Sequence, residues 1–499
     1  MYYAYYYYYC VSAAHPPPRI RTFIHQGVEL THDNFTTNLK AAGRTMVDNP
    51  HDFIRQNDCS LAFLPWAHSY GQTCELWMSM AHGASMGISR GIPTILDDLQ
   101  QVKPTVLFSV PTLYKKVYDG VQNMMETASP IRKALMQRAL ALGQKQLVAS
   151  NGEGPALGMI EQWQYSALNT IVLNKIRDRF GGNLRHGFVA GAACPKEVLD
   201  FMDIIGIPIC EGYGLTETSP IITINSTEHR SVGTVGRPIG GVTVYVVDEN
   251  GKEVADGQEG EICCSGPNIM KGYYKNPEAT AEVISTAPDG TSRMFHTGDL
   301  GRKTETGYVK VTGRLKEQFK LENGCVAYGC CVHESTNMYS SYASSHVSIV
   351  SVSSNNRKYV VPTPIEEAIG MSRFLNQVVL SGANRPFNIA LLVPEWPAIR
   401  AELKLNDDKM TEEELAQDSR VKELIDNEIR VTTMRLKKFE IPQAWAFVAP
   451  FTAANNMLTP KMSIRRHKVI STYQDIIAEL YGDEVVAAET KGGKEAAVA

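Results

Sequence analysis

One eight-residue stretch restricts the fold of this 499-residue chain more than any other feature of its sequence. Residues 211–218 read Glu-Gly-Tyr-Gly-Leu-Thr-Glu-Thr and directly follow an apolar run at 207–210 that predicts a strand. The two glycines permit tight backbone turns, and the tyrosine offers a flat aromatic face. Thr216 and Glu217 add a hydroxyl and a carboxylate, which are groups that contact phosphate and Mg²⁺. We therefore predict a strand that leads into a polar, ligand-holding turn.

The sequence around this stretch has an α/β texture. From Gly27 to about Thr312, short β-branched runs alternate with amphipathic helical stretches, which predicts sheets flanked by helices. The clearest runs are Thr105–Val110, Ile207–Cys210 and Val242–Val247. Two helices joined by a turn at Asn151–Pro155 are predicted between Pro130 and Phe180. Their apolar positions at helical spacing are Leu135, Ala139 and Leu142, then Leu168, Ile171, Val172 and Ile176.

From Tyr359 onward the pattern changes and predicts a smaller α+β unit. Thr411 and Glu414 form a capping-box pattern for a helix that continues to about Arg430. Strands are predicted at Gln377–Leu380, Asn388–Val393 and Phe439–Val448, with a turn at Gly382–Pro386 and an interruption at Pro442.

Further strings carry residue types suited to a nucleotide. Small side chains would let a planar base lie against the backbone, and one aspartate can accept hydrogen bonds from both ribose hydroxyls. The strings are Gly191-Ala192-Ala193, His296-Thr297-Gly298-Asp299-Leu300-Gly301-Arg302, Gly313-Arg314-Leu315-Lys316-Glu317-Gln318-Phe319-Lys320 and Leu64-Pro65-Trp66-Ala67-His68-Ser69-Tyr70-Gly71-Gln72.

Together these strings resemble the adenylate-forming superfamily, which includes acyl-CoA synthetases, luciferases and peptide-synthetase adenylation domains. By this resemblance Tyr213 would stack on adenine, Thr216 would contact the α-phosphate, and Glu217 would help bind Mg²⁺. Asp299 would hold the ribose and Arg314 the ribose or phosphate. The resemblance also implies roles for Gly191, Ala192, Ala193 and Gly214 at the nucleotide, Glu317 as the hinge residue, Lys320 in the thioester step, Lys461 in adenylation and His68 beside the acyl pocket.

The resemblance implies an AMP-forming acyl-CoA synthetase of the long-chain fatty acid type. Such an enzyme activates a fatty acid with ATP and Mg²⁺ to acyl-AMP and transfers the acyl group to CoA. The long helical stretch at 130–180 and the string Leu458-Thr459-Pro460-Lys461-Met462-Ser463-Ile464-Arg465-Arg466 favour the long-chain subgroup.

The expected domain organisation follows from the same comparison. A large AMP-binding domain, expected to be incomplete at its N-terminal side, occupies 27–312 and a hinge occupies 313–324. A smaller C-terminal domain occupies 358–482 and is expected to rotate about Glu317 between the two half-reactions. Residues 1–26 are interpreted as low-complexity sequence foreign to the fold, 325–357 as a disordered serine-rich insertion, and 483–499 as a flexible tail.

Two departures from the family pattern bear on activity. Gly27-Val28-Glu29-Leu30-Thr31-His32 matches the residues that follow the family's phosphate loop, but His25 and Gln26 stand where Pro-Lys is expected. Nothing in 1–26 resembles the glycine-rich loop whose N–H groups would hold the β- and γ-phosphates. The usual register of the adenylation lysine holds Ser463, so the role is assigned to Lys461, with a surface lysine as the alternative.

These departures keep other functions open. A catalytically silent protein that retains acyl- and nucleotide-binding surfaces would release little pyrophosphate, which is the expectation for this chain. An enzyme that passes its acyl group to a carrier protein is a further alternative, although no carrier-domain serine motif follows Gly482.

Composition limits the partners. The formal net charge of -4 gives no reason to expect a nucleic-acid partner. The ten cysteines lack a metal-binding spacing, which predicts reduced thiols in an intracellular protein. No apolar run reaches the ~18 residues that a membrane span requires, so the expected location is cytoplasmic or peripheral on an organelle membrane. No protein partner is predicted.

Overall fold

A computed structural model of the chain describes residues 27–45, 54–321, 359–405, 410–452, 454–459 and 464–482. The side chains of residues 43–45 and of Lys320 are outside this description. The chain divides into two compact units, Met1–Leu315 and Lys316–Ala499. The predicted fold class is confirmed, because sheets flanked by helices form the first unit and a smaller α+β arrangement forms the second.

The first unit contains fourteen strands and nine α-helices within its described residues. The strands are β1 (Val28–Glu29), β2 (Cys59–Ala62), β3 (Ser85–Ile88), β4 (Val106–Ser109), β5 (His186–Val189), β6 (Ile209–Gly214), β7 (Ile221–Ile224), β8 (Arg237–Pro238), β9 (Thr243–Val247), β10 (Gly260–Ser265), β11 (Gly272–Tyr273), β12 (Ile284–Thr286), β13 (Arg293–Lys303) and β14 (Val309–Arg314). The helices are α1 (His32–Thr45), α2 (Met78–His82), α3 (Ile95–Val102), α4 (Pro111–Thr127), α5 (Pro130–Ser150), α6 (Met159–Leu168), α7 (Asn174–Arg177), α8 (Lys196–Ile204) and α9 (Pro277–Val283).

Two five-stranded sheets dominate this unit. The first has the order β4-β5-β6-β7-β8, with β4, β5 and β6 parallel and β7 and β8 antiparallel. The second is antiparallel with the order β12-β13-β10-β9, and β14 also pairs with β13. The parallel pair β2 and β3 and the antiparallel pair β1 and β11 complete the unit.

Side chains that alternate between the two faces of the first sheet contribute to two separate hydrophobic cores. Leu107 lies in a core with α4, α5 and α8, whereas its neighbour Phe108 lies in a second core with residues of the other sheet. Successive side chains of a strand point to opposite faces, so one short strand serves both cores. Because both faces are covered, the strand is buried throughout and is apolar from Val106 to Phe108.

The two helices predicted at 130–180 are present, but part of the predicted apolar stripe is wrong. Leu135 is 44% exposed because the buried arc of α5 runs through Met136, Ala139, Leu142 and Gly143. Ile171 is 58% exposed because a π-helical turn at Asn169–Leu173 rotates the chain and buries Leu173 in its place.

The second unit contains five strands and six α-helices within its described residues. The strands are β15 (Phe319–Lys320), β16 (Tyr359–Val360), β17 (Leu375–Ser381), β18 (Ile389–Pro394) and β19 (Ala444–Phe447). The helices are α10 (Pro362–Ile369), α11 (Trp396–Glu402), α12 (Glu412–Gln417), α13 (Ser419–Thr432), α14 (Arg466–Thr472) and α15 (Gln474–Tyr481).

A three-stranded sheet with β18 at its centre organises the second unit. Leu380 and Leu392 pack on one face with α10, α11 and α13, while Val379 and Leu391 pack on the other with α14 and α15. The predicted capping box at Thr411 is confirmed, with reciprocal hydrogen bonds to Glu414.

The single helix predicted beyond Thr411 is wrong in one respect. Asp418 has an extended backbone (φ -65°, ψ 126°), which ends α12, and its side chain accepts a hydrogen bond from the N–H of Arg420 at the start of α13. An aspartate at this position can cap a new helix as readily as it can sit inside one.

The predicted segments at 1–26, 325–357 and 483–499 lie outside the described residues, as does Lys461. No helix within the described parts of the chain is both long and apolar enough to cross a lipid bilayer.

Candidate functional site

The strand β6 carries the first half of the motif at 211–218 and continues further than the sequence indicates. Glu211 is paired with Val189 of β5, and Gly212, Tyr213 and Gly214 are paired with β7. The expected turn directly after Cys210 is therefore wrong, because Glu211 still pairs with β5 and the next three residues pair with β7. The turn comes later, at Thr216–Thr218, and ends at Ser219 with a left-handed φ of 68°.

The two motif glycines have different surroundings. A Cβ on Gly214 would lie 1.7 Å from the carbonyl oxygen of Pro220, which no side chain can tolerate. A Cβ on Gly212 would meet its nearest neighbour, Ile224, at 3.5 Å, an ordinary contact. Gly214 therefore has a structural reason to be glycine, independent of any ligand.

Tyr213, Asp299 and Arg314 form a connected group. The Tyr213 hydroxyl donates to Oδ2 of Asp299 at 2.7 Å, and Arg314 Nε lies 3.0 Å from Oδ1 of the same carboxylate. Burial, and then the Asp299 charge, raise the pKa of Tyr213 well above its ordinary value, so the phenol stays protonated and donates. Three of the residues predicted at the nucleotide are thus in contact, although they are separated by about a hundred positions in sequence.

The register of β13 and β14 explains how Arg314 reaches this group. Asp299 and Arg314 are directly opposed across the antiparallel pair, so their side chains can lie side by side. Asp299 is almost fully buried, whereas the Arg314 side chain is 57% exposed. The buried carboxylate thus accepts a hydrogen bond from Tyr213 and is paired with the partly exposed guanidinium of Arg314.

Glu261 supports the turn that presents Asp299. Its Oε1 accepts from the N–H of Gly298 at 3.0 Å, and its Oε2 lies 2.9 Å from Nδ1 of His296. Burial is the largest single contribution to the pKa of Glu261 and raises it. The hydrogen bonds from His296 and Gly298 together outweigh burial, so the pKa is lowered from its ordinary value. The hydrogen bond with Glu261 raises the pKa of His296. Glu261 was not predicted as a site residue, because its contacts with Gly298 and His296 depend on the pairing of β10 with β13.

Thr216 is connected to the segment Leu64–Gln72. Its Oγ1 lies 3.3 Å from Oγ of the buried Ser69, so the two predicted strings meet at neighbouring hydroxyls. His68, beside Ser69, is half-buried, and its Nδ1 accepts from the N–H of Tyr70 at 3.2 Å. His68 was predicted as a site residue but Ser69 was not, because a single serine has no distinctive spacing.

Gly71 and Glu75 shape this segment. A Cβ on Gly71 would lie 2.7 Å from the carbonyl oxygen of Pro65. The buried Glu75 accepts from the N–H of Phe63 at 3.2 Å and from the indole N–H of Trp66 at 2.8 Å. Burial raises the pKa of Glu75 to about 7, although these hydrogen bonds favour the charged form.

Glu217 points toward β11. Its Oε1 accepts from the hydroxyl of Tyr273 at 3.0 Å, and its other carboxylate oxygen makes no hydrogen bond within the described residues. Burial, and then the Glu217 charge, raise the pKa of Tyr273, so the phenol remains a donor. A half-buried carboxylate with one oxygen held and one available fits a hard cation such as Mg²⁺. Tyr273 was not predicted as a site residue.

Gly191, Ala192 and Ala193 form an exposed loop directly after β5. Because β5 and β6 are parallel neighbours, this loop leaves the same sheet edge at which Tyr213 lies. Gly191 has φ +87°, and nothing lies within 4 Å of a Cβ built on it. Ligands of open α/β sheets bind at this carboxyl edge.

The remaining predicted residues belong to the second unit. Glu317 lies 3.9 Å from Nε of Arg466, whose guanidinium also binds both oxygens of Glu366 at 2.6 Å. Lys320 lies on β15, but its side chain is outside the described residues, and so is the whole of Lys461. The roles given to these residues stay predictions.

The sequence matches two family profiles. Residues 26–274 match the family described as AMP-binding enzyme, and residues 350–485 match the AMP-binding enzyme C-terminal domain. The first range contains the motif on β6 and the loop after β5, and the second contains the three-stranded sheet of the second unit.

The curated relatives of this chain are named as synthetases or ligases of long-chain acyl groups. The chain is 28% identical over 471 residues to "Long chain acyl-CoA synthetase 7, peroxisomal" of Arabidopsis thaliana, covering 92% of this chain and 59% of the relative. It is 30% identical over 471 residues to "Long-chain-fatty-acid--CoA ligase 5" of Mus musculus, covering 91% and 60%. It is 26% identical over 490 residues to "Long-chain-fatty-acid--[acyl-carrier-protein] ligase AEE15, chloroplastic" of Arabidopsis thaliana, covering 91% and 59%. The chain thus spans about three-fifths of the length of these relatives.

Solved structures share the fold. ATP-bound MatB from Rhodopseudomonas palustris superimposes with a TM-score of 0.57 at 21% identity, covering 90% of this chain and 66% of that one. The adenylation domain of a carboxylate reductase from Mycobacterium chelonae gives a TM-score of 0.60 at 20% identity, covering 92% and 58%. At these identities the likeness concerns architecture alone.

Proposed function

This chain belongs to the AMP-binding enzyme family, and we propose that it acts as a long-chain fatty acid–CoA ligase. In the first half-reaction a carboxylate oxygen of the fatty acid bonds to the α-phosphorus of ATP, and pyrophosphate leaves. In the second, the CoA sulfur bonds to the acyl carbon, AMP leaves with the bonding electrons, and the thiol proton passes to solvent. The names of the curated relatives support the long-chain acid and the CoA acceptor.

One observation carries this proposal, namely the contact group of Tyr213, Asp299 and Arg314. A carboxylate has about four lone-pair positions, so Asp299 would accept from ribose hydroxyls in addition to its contacts with the Tyr213 phenol and the Arg314 guanidinium. The tyrosine next to it supplies an aromatic surface for adenine, and the exposed loop at 191–193 leaves room along the backbone. The partly exposed guanidinium of Arg314 would bind ribose or phosphate oxygens.

Thr216 and Glu217, at the C-terminal end of the motif at 211–218, would contact the phosphates and the reacting carboxylate. The adjacent hydroxyls of Thr216 and Ser69 would donate to the α-phosphate, where negative charge develops during adenylation. Glu217 would hold Mg²⁺ through the oxygen that Tyr273 does not occupy. Bound Mg²⁺ would offset the charge of the phosphates. We place the acyl chain beside His68 because that residue adjoins Ser69.

The residues of the second unit complete the proposal as family assignments. Glu317 would act as the hinge residue, Lys320 in thioester formation and Lys461 in adenylation. The domain limits 27–312, 313–324 and 358–482, with 1–26, 325–357 and 483–499 outside the folded domains, are proposed on the same basis.

A second candidate function is binding of an acyl-adenylate without its synthesis from ATP. One sequence observation favours it, since residues 1–26 contain no stretch that resembles the phosphate loop. That loop serves the β- and γ-phosphates, which depart as pyrophosphate in the first half-reaction. The second half-reaction does not use them.

The two candidates can be separated by supplying the intermediate directly. The 499-residue chain is incubated with palmitoyl-AMP and CoA, and separately with palmitate, ATP, Mg²⁺ and CoA; a blank without protein measures spontaneous thiolysis. We expect palmitoyl-CoA from palmitoyl-AMP well above the blank, and little palmitate-dependent pyrophosphate release from ATP. No thioester above the blank in either reaction would contradict ligase activity. Thioester formed with a pantetheinylated carrier protein, and not with CoA, would instead identify a carrier-protein ligase, as the name of the chloroplastic relative suggests.

The cellular location is proposed as intracellular, either cytoplasmic or peripheral on an organelle membrane. The names of two Arabidopsis relatives, one peroxisomal and one chloroplastic, point to different organelles and favour neither for this chain. Fatty acid, ATP and CoA are the proposed binding partners.

A further inference from the structure

Three different metal-binding side chains converge on one face of the second sheet. Glu261 and Cys263 are two positions apart on β10 and so share a face, and Cys263 is directly opposed to His296 of β13. The pairing of β10 with β13 shifts register between Glu261 and Cys263, and Oε2 of Glu261 lies 2.9 Å from Nδ1 of the same imidazole. Within the described residues, these three side chains are a group whose ligand atoms all lie within 4.8 Å of one another. We call this group the β10–β13 cluster.

The distances in the β10–β13 cluster resemble those of a metal site. Nδ1 of His296 lies 3.3 Å from Sγ of Cys263 and 2.9 Å from Oε2 of Glu261. Ligand atoms bound tetrahedrally at the usual zinc distances of about 2.0–2.3 Å lie about 3.3–3.8 Å apart. The Nδ1–Sγ pair is about 0.2 Å shorter than the spacing for a nitrogen and a sulfur ligand, and the Nδ1–Oε2 pair is about 0.4 Å shorter than that for a nitrogen and an oxygen ligand, so each needs to open by only a few tenths of an ångström. The imidazole thus presents a single nitrogen to both the thiol and the carboxylate.

The second nitrogen of His296 is also held. Nε2 lies 2.8 Å from Oγ of Ser285 on β12, so the ring has a hydrogen-bonding partner on the side away from the cluster. Histidines that bind metals are usually oriented in this way through their other ring nitrogen. Glu261 is restrained as well, because its Oε1 accepts from the N–H of Gly298 and leaves Oε2 for a metal.

The donor set determines which metal fits. A thiolate, an imidazole and a carboxylate together favour a borderline-soft ion, and Zn²⁺ is bound by all three types. Mg²⁺ and Ca²⁺ prefer oxygen ligands and do not suit a thiolate. The side chains of His296 and Glu261 are 24% and 19% exposed, which leaves a path for the ion and for a water as the fourth ligand.

We propose that Glu261, Cys263 and His296 form a zinc-binding site. Zinc enters with loss of the Cys263 thiol proton to solvent. The proton on Nδ1 of His296 moves through solvent to Nε2, where it donates to Oγ of Ser285, and zinc replaces the contact between Nδ1 and Oε2 of Glu261. The bond from Gly298 to Glu261 remains, so the ion ties β10 to β13 beside the turn that carries Asp299. The site is separate from Glu217, where Mg²⁺ is proposed to bind.

The adjacent cysteines provide a matched control. Cys263 and Cys264 are both fully buried on β10, but their side chains belong to different cores on opposite faces of the strand. Only Cys263 faces His296. The chelator-treated full chain is titrated with Co²⁺ as a spectroscopic substitute for zinc, and a charge-transfer band reports the cobalt–thiolate bond.

We expect one Co²⁺ per chain with a thiolate band, displaced by one equivalent of Zn²⁺. The band should be lost in Cys263→Ala and kept in Cys264→Ala. A double variant, Cys330→Ala with Cys331→Ala, should keep it, because this adjacent pair of cysteines is not part of the β10–β13 cluster. In Glu261→Gln, which retains an acceptor for Gly298, we expect zinc affinity to fall roughly tenfold or more.

Several outcomes would overturn the zinc site. They are the absence of a thiolate band, its persistence in a folded Cys263→Ala protein, or its loss in the Cys330→Ala and Cys331→Ala variant. If Cys263→Ala does not fold, unchanged zinc affinity in Glu261→Gln would reject the site. None of these measurements depends on ligase activity.

Discussion

At the scale of single residues, Gly214 and Gly212 lie on the same strand, but only at Gly214 would a Cβ clash with a neighbouring backbone. The oxygen of Pro220 stands where a Cβ on Gly214 would lie, while Gly212 has an ordinary clearance from Ile224. The sequence analysis assigned Gly214 to the nucleotide because of the family resemblance. The structure adds a packing reason for this glycine, and this reason can be tested without any ligand.

We predict that Gly214→Ala is strongly destabilising. A 1.7 Å approach requires β6 and β7 to separate, so a loss of about 3 kcal/mol or more in the free energy of unfolding is expected. Gly212→Ala is the control, and its effect should stay within about 1 kcal/mol. Urea denaturation of both variants makes the comparison. Equal stability of the two variants would show that the close approach is absent.

At the scale of secondary-structure elements, the π-helical turn Gly71–Trp77 positions His68 and Ser69. It places Glu75 in the core, where the carboxylate holds the backbone of Phe63 and the indole of Trp66. A buried acid that is paired only with neutral donors is costly when charged. This element therefore couples the shape of the Leu64–Gln72 segment to pH.

We predict a decrease in stability between about pH 4.5 and pH 7 that originates at Glu75. Its pKa is raised from 4.5 to about 7, so the folded state binds more protons than the unfolded state in this window. The stabilising contribution of protonated Glu75 is complete below pH 4.5 and is lost as the pH rises through 7. The free energy of unfolding falls by up to about 3 kcal/mol over this range.

Urea denaturation at pH 5 and pH 7.5 tests this dependence. Glu75→Gln should remove the contribution of this residue to the difference between the two pH values, and the exposed Glu423→Gln should leave the wild-type difference intact. If Glu75→Gln retains the full wild-type difference, Glu75 is not its source.

Secondary-structure elements also show which features could be predicted from the sequence. Strands such as β4, β17 and β18 were predicted because their apolar runs are local and uninterrupted. The interruption at Asp418 was missed because a helix-capping and a mid-helix aspartate look alike in a single sequence. The contacts of Ser69 with Thr216 and of Tyr273 with Glu217 were missed because they join distant strings. The strings around Tyr213 and Asp299 were recognised, but their direct contact depends on the pairing of strands and could not be predicted.

At the scale of the whole molecule, the chain consists of two units with separate cores, and the second unit contains the pair β15 and β16. These strands pair Lys320 with Tyr359, so the two ends of the segment between them are neighbours in space. A segment whose ends already meet can be shortened without moving the strands.

We predict that deletion of 325–357 preserves the fold of the second unit. The connection between Lys320 and Tyr359 shortens from 38 to five residues, with Asn323-Gly324 suited to a tight hairpin turn. Three halvings of loop length at about 0.6 kcal/mol each should stabilise the unit by about 2 kcal/mol.

A longer deletion, 325–360, is the matched control for this experiment. It removes the buried Val360 and the strand partner of β15, so it should destabilise the unit. Urea denaturation followed by the fluorescence of Trp396 and Trp445, which both contact Phe447, reports on this unit. If 325–357 is required for folding, the shorter deletion will be as damaging as the longer one.

The central claim is that Tyr213, Asp299 and Arg314 form the adenosine site of an acyl-adenylate. Calorimetric titration of the full chain with a non-hydrolysable palmitoyl-sulfamoyl adenosine tests it most directly. We predict one bound molecule per chain and an affinity roughly ten- to a hundredfold weaker in Asp299→Asn, since hydrogen bonds to a charged acceptor contribute about 1.5–3 kcal/mol. Asp289→Asn, in an exposed turn of the same unit, should bind as the wild type does. No binding by the wild type, or equal affinity in Asp299→Asn, would contradict the claim.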